Sequence, residues 1–518
     1  MKNSLRQKPP FLFLGLALIA AVVSLSPIAY LAIRLSEYGA DKVIANILRP
    51  RSLELLGNSV LLTLAVAVSA VLIGSFQAWL TVRTSMPAKP LFAIFAALPL
   101  AVPSYVNAYA FIALFSGFKG FAATWLVLTI GTAPYVYLAV SAALIRADAA
   151  TEEVARSLGA SRWRVFSKVT WPSVRPAAIS GAMLSALYTL SDFGAPSILS
   201  FDTFTRAIYS AYRSSFDRSG AASLAAILVL ITVLLLVFEP ALRGKKIETD
   251  ARLRRSSQIQ LGGFGFIAAG LVSLWAVVSL LLPIISLIRW NLIGLSTVDF
   301  GEVARALINS IGYSVSGGVI TAIFGLAISI LVVRYASKAT VVLEKSIWLT
   351  HAVPGIVVAL ALVFLSNRAF PQIYQTSTLV LIAYLILFLP NAIAAMRTPI
   401  AQVPKALDEV AASLGASRLQ TIKKVLIPIS GPGVIAGAAL VSLSILKELP
   451  ATLLLRETGV ETLATRLWSE TSISAYAAAA PYALLLVLVA GVPAWLLNRE
   501  VRKSVRLHLD LDTRLERE

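Results

Sequence analysis

The 518-residue sequence contains no cysteine, which excludes disulfides, thiolate metal sites and cysteine nucleophiles. It has two histidines, His351 and His508, and neither has a metal-ligand partner at useful spacing. No G-x-x-x-x-G-K-[ST] phosphate loop occurs, so nucleotide binding is not expected of this chain. No Ser-His, paired-Asp or H-E-x-x-H constellation appears in the apolar segments; no catalytic residue is expected and no metal-binding set is identifiable. Charge is scarce. Asp, Glu, Lys and Arg make up 14% of the chain against 58% hydrophobic residues, too apolar a balance for a water-soluble chain that must clothe its core in polar groups.

Apolar runs of roughly 18 to 25 residues, about the length that crosses a bilayer as helix, recur along the whole chain. They predict an all-α polytopic membrane protein of about twelve transmembrane helices. The runs fall near residues 11–34, 57–82, 91–115, 122–145, 175–199, 221–240, 262–288, 308–333, 347–366, 376–396, 429–453 and 475–497. The first follows Lys2, Arg6 and Lys8, as a cleaved signal peptide would. Its run is long and lacks a small-residue cleavage site, so it reads as a retained helix.

A formal net charge of +19 raises the question of nucleic acid, and the placement of the basic residues answers it. With the N-terminus inside, 31 of the 45 lysines and arginines fall in the even-numbered turns and the two ends. That excess is the positive-inside bias of a membrane protein with both termini cytoplasmic. Nucleic-acid binding would need a soluble basic domain with stacking aromatics, and none is present.

The chain also repeats itself. Residues 152–172 (EEVARSLGASRWRVFSKVTWP) match residues 408–428 (DEVAASLGASRLQTIKKVLIP) at twelve of 21 positions, offset by 256. Weaker echoes, offset by 251, pair Asn58-Ser59 with Asn309-Ser310, Arg83 with Arg334, and Ala101-Val102-Pro103 with Ala352-Val353-Pro354. The chain thus divides into residues 1–245, a basic cytoplasmic linker at 246–260, and residues 261–518. With six spans each, the halves enter the membrane in the same orientation.

In each half the repeated segment, about 150–172 and 406–428, lies between the fourth and fifth spans on the cytoplasmic side. Glu153, Val154, Leu158, Val165 and Val169 recur at spacings of three and four, as one face of a short helix would. Gly159 and Gly415 can take positive φ without steric cost, permitting a turn between two short helices. Pro172 and Pro428 stand where a new helix can begin. A surface-lying amphipathic helix is the bland alternative, but it leaves the close match of the two segments unexplained.

The pattern carried by Glu153, Ala155, Gly159 and Pro172, and again by Glu409, Ala411, Gly415 and Pro428, resembles the EAA loop of ABC importer permeases. Val154 and Val410 stand where that family usually has alanine. The resemblance implies two fused six-helix type I permease halves in a bacterial inner membrane. It implies that each loop is a coupling helix fitting a cleft in a separate ATPase, the glutamate anchoring it and the glycine permitting its bend. The implied partners are a homodimer of ATPase subunits, which would hold ATP and Mg, and a periplasmic substrate-binding protein. No cofactor is implied for this chain, and its role is that of a transport subunit without enzyme activity.

The fused layout, with LSDFGAPSIL at 190–199 and LKELPATLLLRETGVETLATRLW at 446–468, most resembles ferric-iron permeases; thiamine, polyamine and oxyanion importers share parts of the pattern. Asp192 and Glu448 occupy equivalent positions toward the outer ends of apolar spans, where ionisable groups usually face a cavity or a partner. They either line the substrate pathway together with Tyr188, or Asp192 caps a break near Gly194 and Pro196 while Glu448 pairs with Lys447 or a nearby arginine. Tyr105 and Tyr109 are further oxygen donors or ordinary interface tyrosines. Arg206, Arg213, Arg456 and Arg466 either meet the binding protein or are solvated loop charges.

Overall fold

The computed structural model describes residues 9–147, 149–213, 218–243, 258–294 and 298–491. Among these the chain is almost wholly helical, and its one extended pairing is a parallel bridge between Thr84 and Ile259. Most of the expected linker at 246–260, the tail with His508, and the end of the last expected span lie outside the described residues.

Twelve principal helices follow the twelve apolar runs. They are α1 (Phe11–Tyr38), α2 (Pro50–Arg83), α3 (Lys89–Ala101 with Ser104–Leu114), α4 (Gly120–Arg146), α5 (Trp171–Ser191) and α6 (Arg218–Arg243). After the linker come α7 (Phe264–Gly294), α8 (Phe300–Arg334), α9 (Lys338–Ala352 with Gly355–Ala369), α10 (Ser377–Gln402), α11 (Ile427–Leu446) and α12 (Tyr476–Gly491). Eight are long and apolar enough to cross a bilayer, and α3 and α9 bring the number to 10 when each bent pair is taken as one span. The remaining expected spans fall on α5, of 21 residues, and on the shorter α12.

The spans expected at 91–115 and 347–366 are bent helix pairs, α3 by 97° and α9 by 104°. The cause lies in the repeated Ala-Val-Pro. A proline pushes the residue before it out of the helical region, and Val102 (φ −90°, ψ 123°) and Val353 (φ −91°, ψ 116°) are both extended. Spans 5 and 11 break as well, at Asp192 and at Lys447–Leu449, before the short helices Gly194–Ile198 and Pro450–Leu455.

The helices form two compact units that do not coincide with the sequence halves: α1 packs with α8–α11, and α7 packs with α2–α6. Each half has lent its first helix to the other's unit. Ala17 and Ala20 of α1 are buried against Ile328, Leu331, Ile347 and Leu389. The α7 side chains Ser286 and Trp290 bond the carbonyls of Ala110 (2.7 Å) and Ala113 (2.9 Å) near the C-terminal end of α3.

Small residues set the closest helix contacts, as in membrane bundles generally. A Cβ on Gly74 would lie 2.7 Å from the Ala133 carbonyl oxygen, and one on its repeat equivalent Gly325 would lie 2.6 Å from Ala392 Cβ. The opposite face of α2 carries Leu64, Val68, Leu72 and Phe76, all exposed and spaced by four, the stripe of a lipid-facing helix.

Candidate functional site

In both halves the repeated segment forms a short helix, Ala149–Ser157 and Ala406–Ser413, then a tight turn into a second helix. Gly159 and Gly415 adopt φ of +84° and +79°, as their spacing predicts. Each turn is a Schellman motif. Ala160 N–H donates to the Ala155 carbonyl (3.0 Å) and Gly159 N–H to that of Arg156 (2.9 Å); Ala416 to Ala411 and Gly415 to Ala412 repeat both bonds at 3.0 Å. Ala155 and Ala411 therefore supply the carbonyls on which the turns close.

Pro172 and Pro428 are the second residues of α5 and α11, at the helix starts their positions predict, but no loop precedes them. The second helix of each hairpin begins earlier, at Arg162 and Arg418, and passes through a five-residue π turn (Phe166–Thr170, Ile422–Leu426) into α5 and α11. A proline inside a helix has no N–H to give and its ring meets the carbonyl four residues back. The wider π turn relieves both problems, and Pro283 in α7 stands in the same register after the π turn Val277–Leu281.

Val154, Leu158 and Val165 do not share one face. Val165 is buried, whereas Val154 is 58% and Leu158 82% exposed. The turn at Gly159 redirects the second helix, so the spacing read across it does not describe a single surface. Exposure repeats instead at matched positions: Val154, Leu158 and Trp163 in one half, Val410, Leu414 and Leu419 in the other. Glu153 and Glu409 are exposed beside them.

The acid one residue earlier is the one held inside. Glu152 accepts from Thr170 Oγ1 (2.9 Å) and pairs with Arg83 at the end of α2 (3.1 Å), both side chains more than nine-tenths buried. Arg156 approaches it at 3.7 Å. In the second half Arg334 pairs with Asp408 (3.3 Å) and also donates to the Val403 carbonyl (2.7 Å), but Asp408 is about one-third exposed. Each pair ties the hairpin to the end of a membrane helix. Sequence reasoning noted the Arg83 and Arg334 echo but gave it no task, and passed over Glu152 and Asp408; the acid-for-acid match at offset 256 was the available signal.

At the breaks, both carboxylates are spent on caps. Asp192 accepts from Ala195 N–H (2.9 Å) and from the Ser104 hydroxyl. Glu448 accepts from the N–H groups of Ala451 (3.1 Å) and Thr452 (3.2 Å) and from the Thr452 hydroxyl, which meets Tyr384 at 2.7 Å. Tyr188 lies beside Tyr135, the rings tilted by 49° with centroids 6.1 Å apart. Ser104 and Gly355 are repeat equivalents, and a Cβ on Gly355 would lie 2.9 Å from Glu448 Oε1. Aspartate with serine in one half thus fills the space of glutamate with glycine in the other. Gly355→Ser is expected to lower the melting temperature of the purified protein, and Glu448→Asp in the same chain to restore it; failure of the second change to compensate would contradict this pairing.

The outer arginines are also engaged. Arg206 pairs with Asp202, Arg456 with Glu461 (2.7 Å) and Arg466 with Glu302 (2.9 Å), while Arg213 lies over the Tyr209 ring. Tyr109 donates to the Tyr476 carbonyl (2.8 Å), and Tyr105 is buried against Gly194.

Comparison with known proteins decides what these hairpins belong to. Residues 70–244 and 325–503 each match the model of the binding-protein-dependent transport system inner membrane component family. The chain belongs to this family of ABC importer permeases. The permease is 36% identical over 500 residues, 95% of its length and 99% of the relative's, to the Fe(3+)-transport system permease protein FbpB 2 of Haemophilus influenzae. It is 25% identical to the ferric transport system permease protein FbpB of Actinobacillus pleuropneumoniae over 74% of its length and 61% of that protein's. Over 34% of its length it is 35% identical to the molybdenum transport system permease protein ModB of Escherichia coli, covering 87% of that chain. The permease is accordingly a multi-pass inner-membrane transport protein.

Proposed function

We propose that this permease moves ferric iron from a periplasmic binding protein into the cytoplasm, driven by ATP hydrolysis on a homodimer of separate ABC ATPase subunits, which hold the ATP and Mg. The observation that carries the reading is the duplicated hairpin, with three apolar residues and one glutamate exposed at matched positions in both copies. An apolar triplet left in water twice on one chain, each on a ring-fenced turn, is a surface for two copies of one partner. One permease chain thereby meets both ATPase subunits. The distribution of basic residues supports both termini and both hairpins lying in the cytoplasm.

The Arg83–Glu152 and Arg334–Asp408 pairs then connect ATPase to membrane helix. When ATP closes the ATPase dimer, the hairpins are carried with it, and the buried pairs pull on the ends of α2 and α8. The route alternates between outward and inward opening only insofar as ATP binds one state more tightly than the other. Asp192, Tyr188 and Glu448 shape the breaks of spans 5 and 11 beside the route. Their carboxylates are committed to backbone caps, so the iron passes them without being held by a dedicated cage.

Ferric iron as substrate is supported by the relative of matching length, while the molybdenum relative shares the fold with other cargo. Reconstituted with its ATPase subunits in lipid, the permease is expected to show ATPase activity stimulated several-fold by ferric-loaded binding protein over the empty form. Stimulation by a thiamine-, polyamine- or oxyanion-loaded protein instead would overturn the substrate and keep the permease role.

A further inference from the structure

The first half contains a cavity of about 750 Å³. It lies between the inner end of α2 and the first hairpin, and Arg83, Glu152, Arg156 and Gln258 supply its polar end. Its walls include Phe76, Trp79, Trp163, Phe166 and Trp171, so three of the nine tryptophans in the chain line one cavity.

The repeat shows that this space is a divergence between the halves. Where the first half has Phe76, Trp79 and Phe166, the second has Ala327, Ile330 and Ile422, all nearly inaccessible. There Ile330 and Ile422 close with Met396 and Ile400 into a solid core, with Phe13 packed against it. In the first half Phe76 is 45% and Trp163 74% exposed. Arg83 Nε and its equivalent Arg334 Nε are both buried without a hydrogen-bond partner, but the Ser75 hydroxyl, likewise unpartnered, is peculiar to the first half, Leu326 replacing the serine in the other. Buried polar atoms without partners in a cavity of ligand size are sites for acceptor atoms brought by a ligand.

Phe76 belongs both to the cavity wall and to the lipid-facing stripe of α2, so the cavity is continuous with the surface that meets acyl chains. Tryptophan with one apolar and one wet edge is the residue of the membrane interface. The guanidinium of Arg83, whose Nε has no hydrogen-bond partner there, favours an anionic head group at the polar end. We propose that this cavity binds one anionic phospholipid of the cytoplasmic leaflet, its acyl chain among Phe76, Trp79 and Trp171 and its phosphate toward Arg83 and Arg156. The lipid then braces the first hairpin, a support that the packed second half does not need. The leaflet assignment rests on the cytoplasmic reading of the hairpins.

The test uses the purified permease complex and native mass spectrometry after delipidation and exposure to mixed phosphatidylglycerol and phosphatidylcholine. Wild type is expected to retain one phosphatidylglycerol. A Ser75→Leu, Val140→Met chain, which installs the second half's residues at both positions, is expected to retain at least tenfold less. Retention undiminished in the filled chain, or equal retention of phosphatidylcholine, overturns the proposal. Should the filled chain not fold, brominated phosphatidylglycerol must quench wild-type tryptophan fluorescence more than brominated phosphatidylcholine, and less so in Trp171→Phe; equal quenching overturns it. Because the chain has no native cysteine, maleimide labelling of Leu158→Cys from either side tests the hairpin's sidedness separately.

Discussion

Replacing Arg83 with methionine is expected to destabilise the permease by about 3–5 kcal/mol and to abolish transport, while Arg334→Met does markedly less. Removing one partner of a buried ion pair leaves the other charge stranded in a medium that cannot solvate it. Glu152 is 7% exposed and keeps, as a charged partner, only the longer 3.7 Å approach of Arg156, whereas Asp408 is 34% exposed and can hydrate freely once its arginine is gone. The reciprocal changes should rank alike. Glu152→Ala strands Arg83, but after Asp408→Ala the Arg334 guanidinium keeps the carbonyl of Val403. Thermal melts in lipid, compared with iron uptake, check the order; equal losses at Arg83 and Arg334 would remove the asymmetry argued for the two hairpins. The double exchange Arg83→Glu, Glu152→Arg should recover part of the stability, since it restores the pair though not its geometry with Thr170.

These pairs also show which parts of the molecule were legible in the sequence. The twelve apolar runs map onto helices because length and hydropathy are local properties. The echoes were visible as identities, yet their meaning was tertiary. Asn58 and Asn309 each donate to a carbonyl of a distant loop, Asp202 at 3.1 Å and Glu461 at 2.9 Å. Ser59 and Ser310 accept the first N–H of the helices Phe204–Arg213 and Leu463–Ser472. Ala-Val-Pro bends α3 and α9. For the asparagines and serines two residues far apart in the chain meet, and a linear reading sees only one of them. The exchange of first helices between units was hidden for the same reason: α1 and α7 are apolar on every side, so their composition does not say which unit they serve.

At Gly159 and Gly415, substitution by valine is expected to uncouple the permease, while substitution by asparagine leaves most of the activity. Nothing lies within 4 Å of a Cβ built on either glycine, so crowding does not dictate the residue. The constraint is the positive φ alone, which costs an ordinary L-residue roughly 1–2 kcal/mol and a β-branched one more. Asparagine visits that region routinely because its short side chain bonds locally. With valine, the cheapest relief is to unwind the Schellman turn, freeing the Ala155 and Ala411 carbonyls and re-aiming the second helix of each hairpin. The exposed triplets would then no longer present one surface to the ATPase. ATPase activity should persist at its basal rate and lose its response to loaded binding protein in the double valine chain, with stimulation retained in the double asparagine chain. Equal loss in both would mean that the glycines are needed for contact with the partner and not for the shape of the turn.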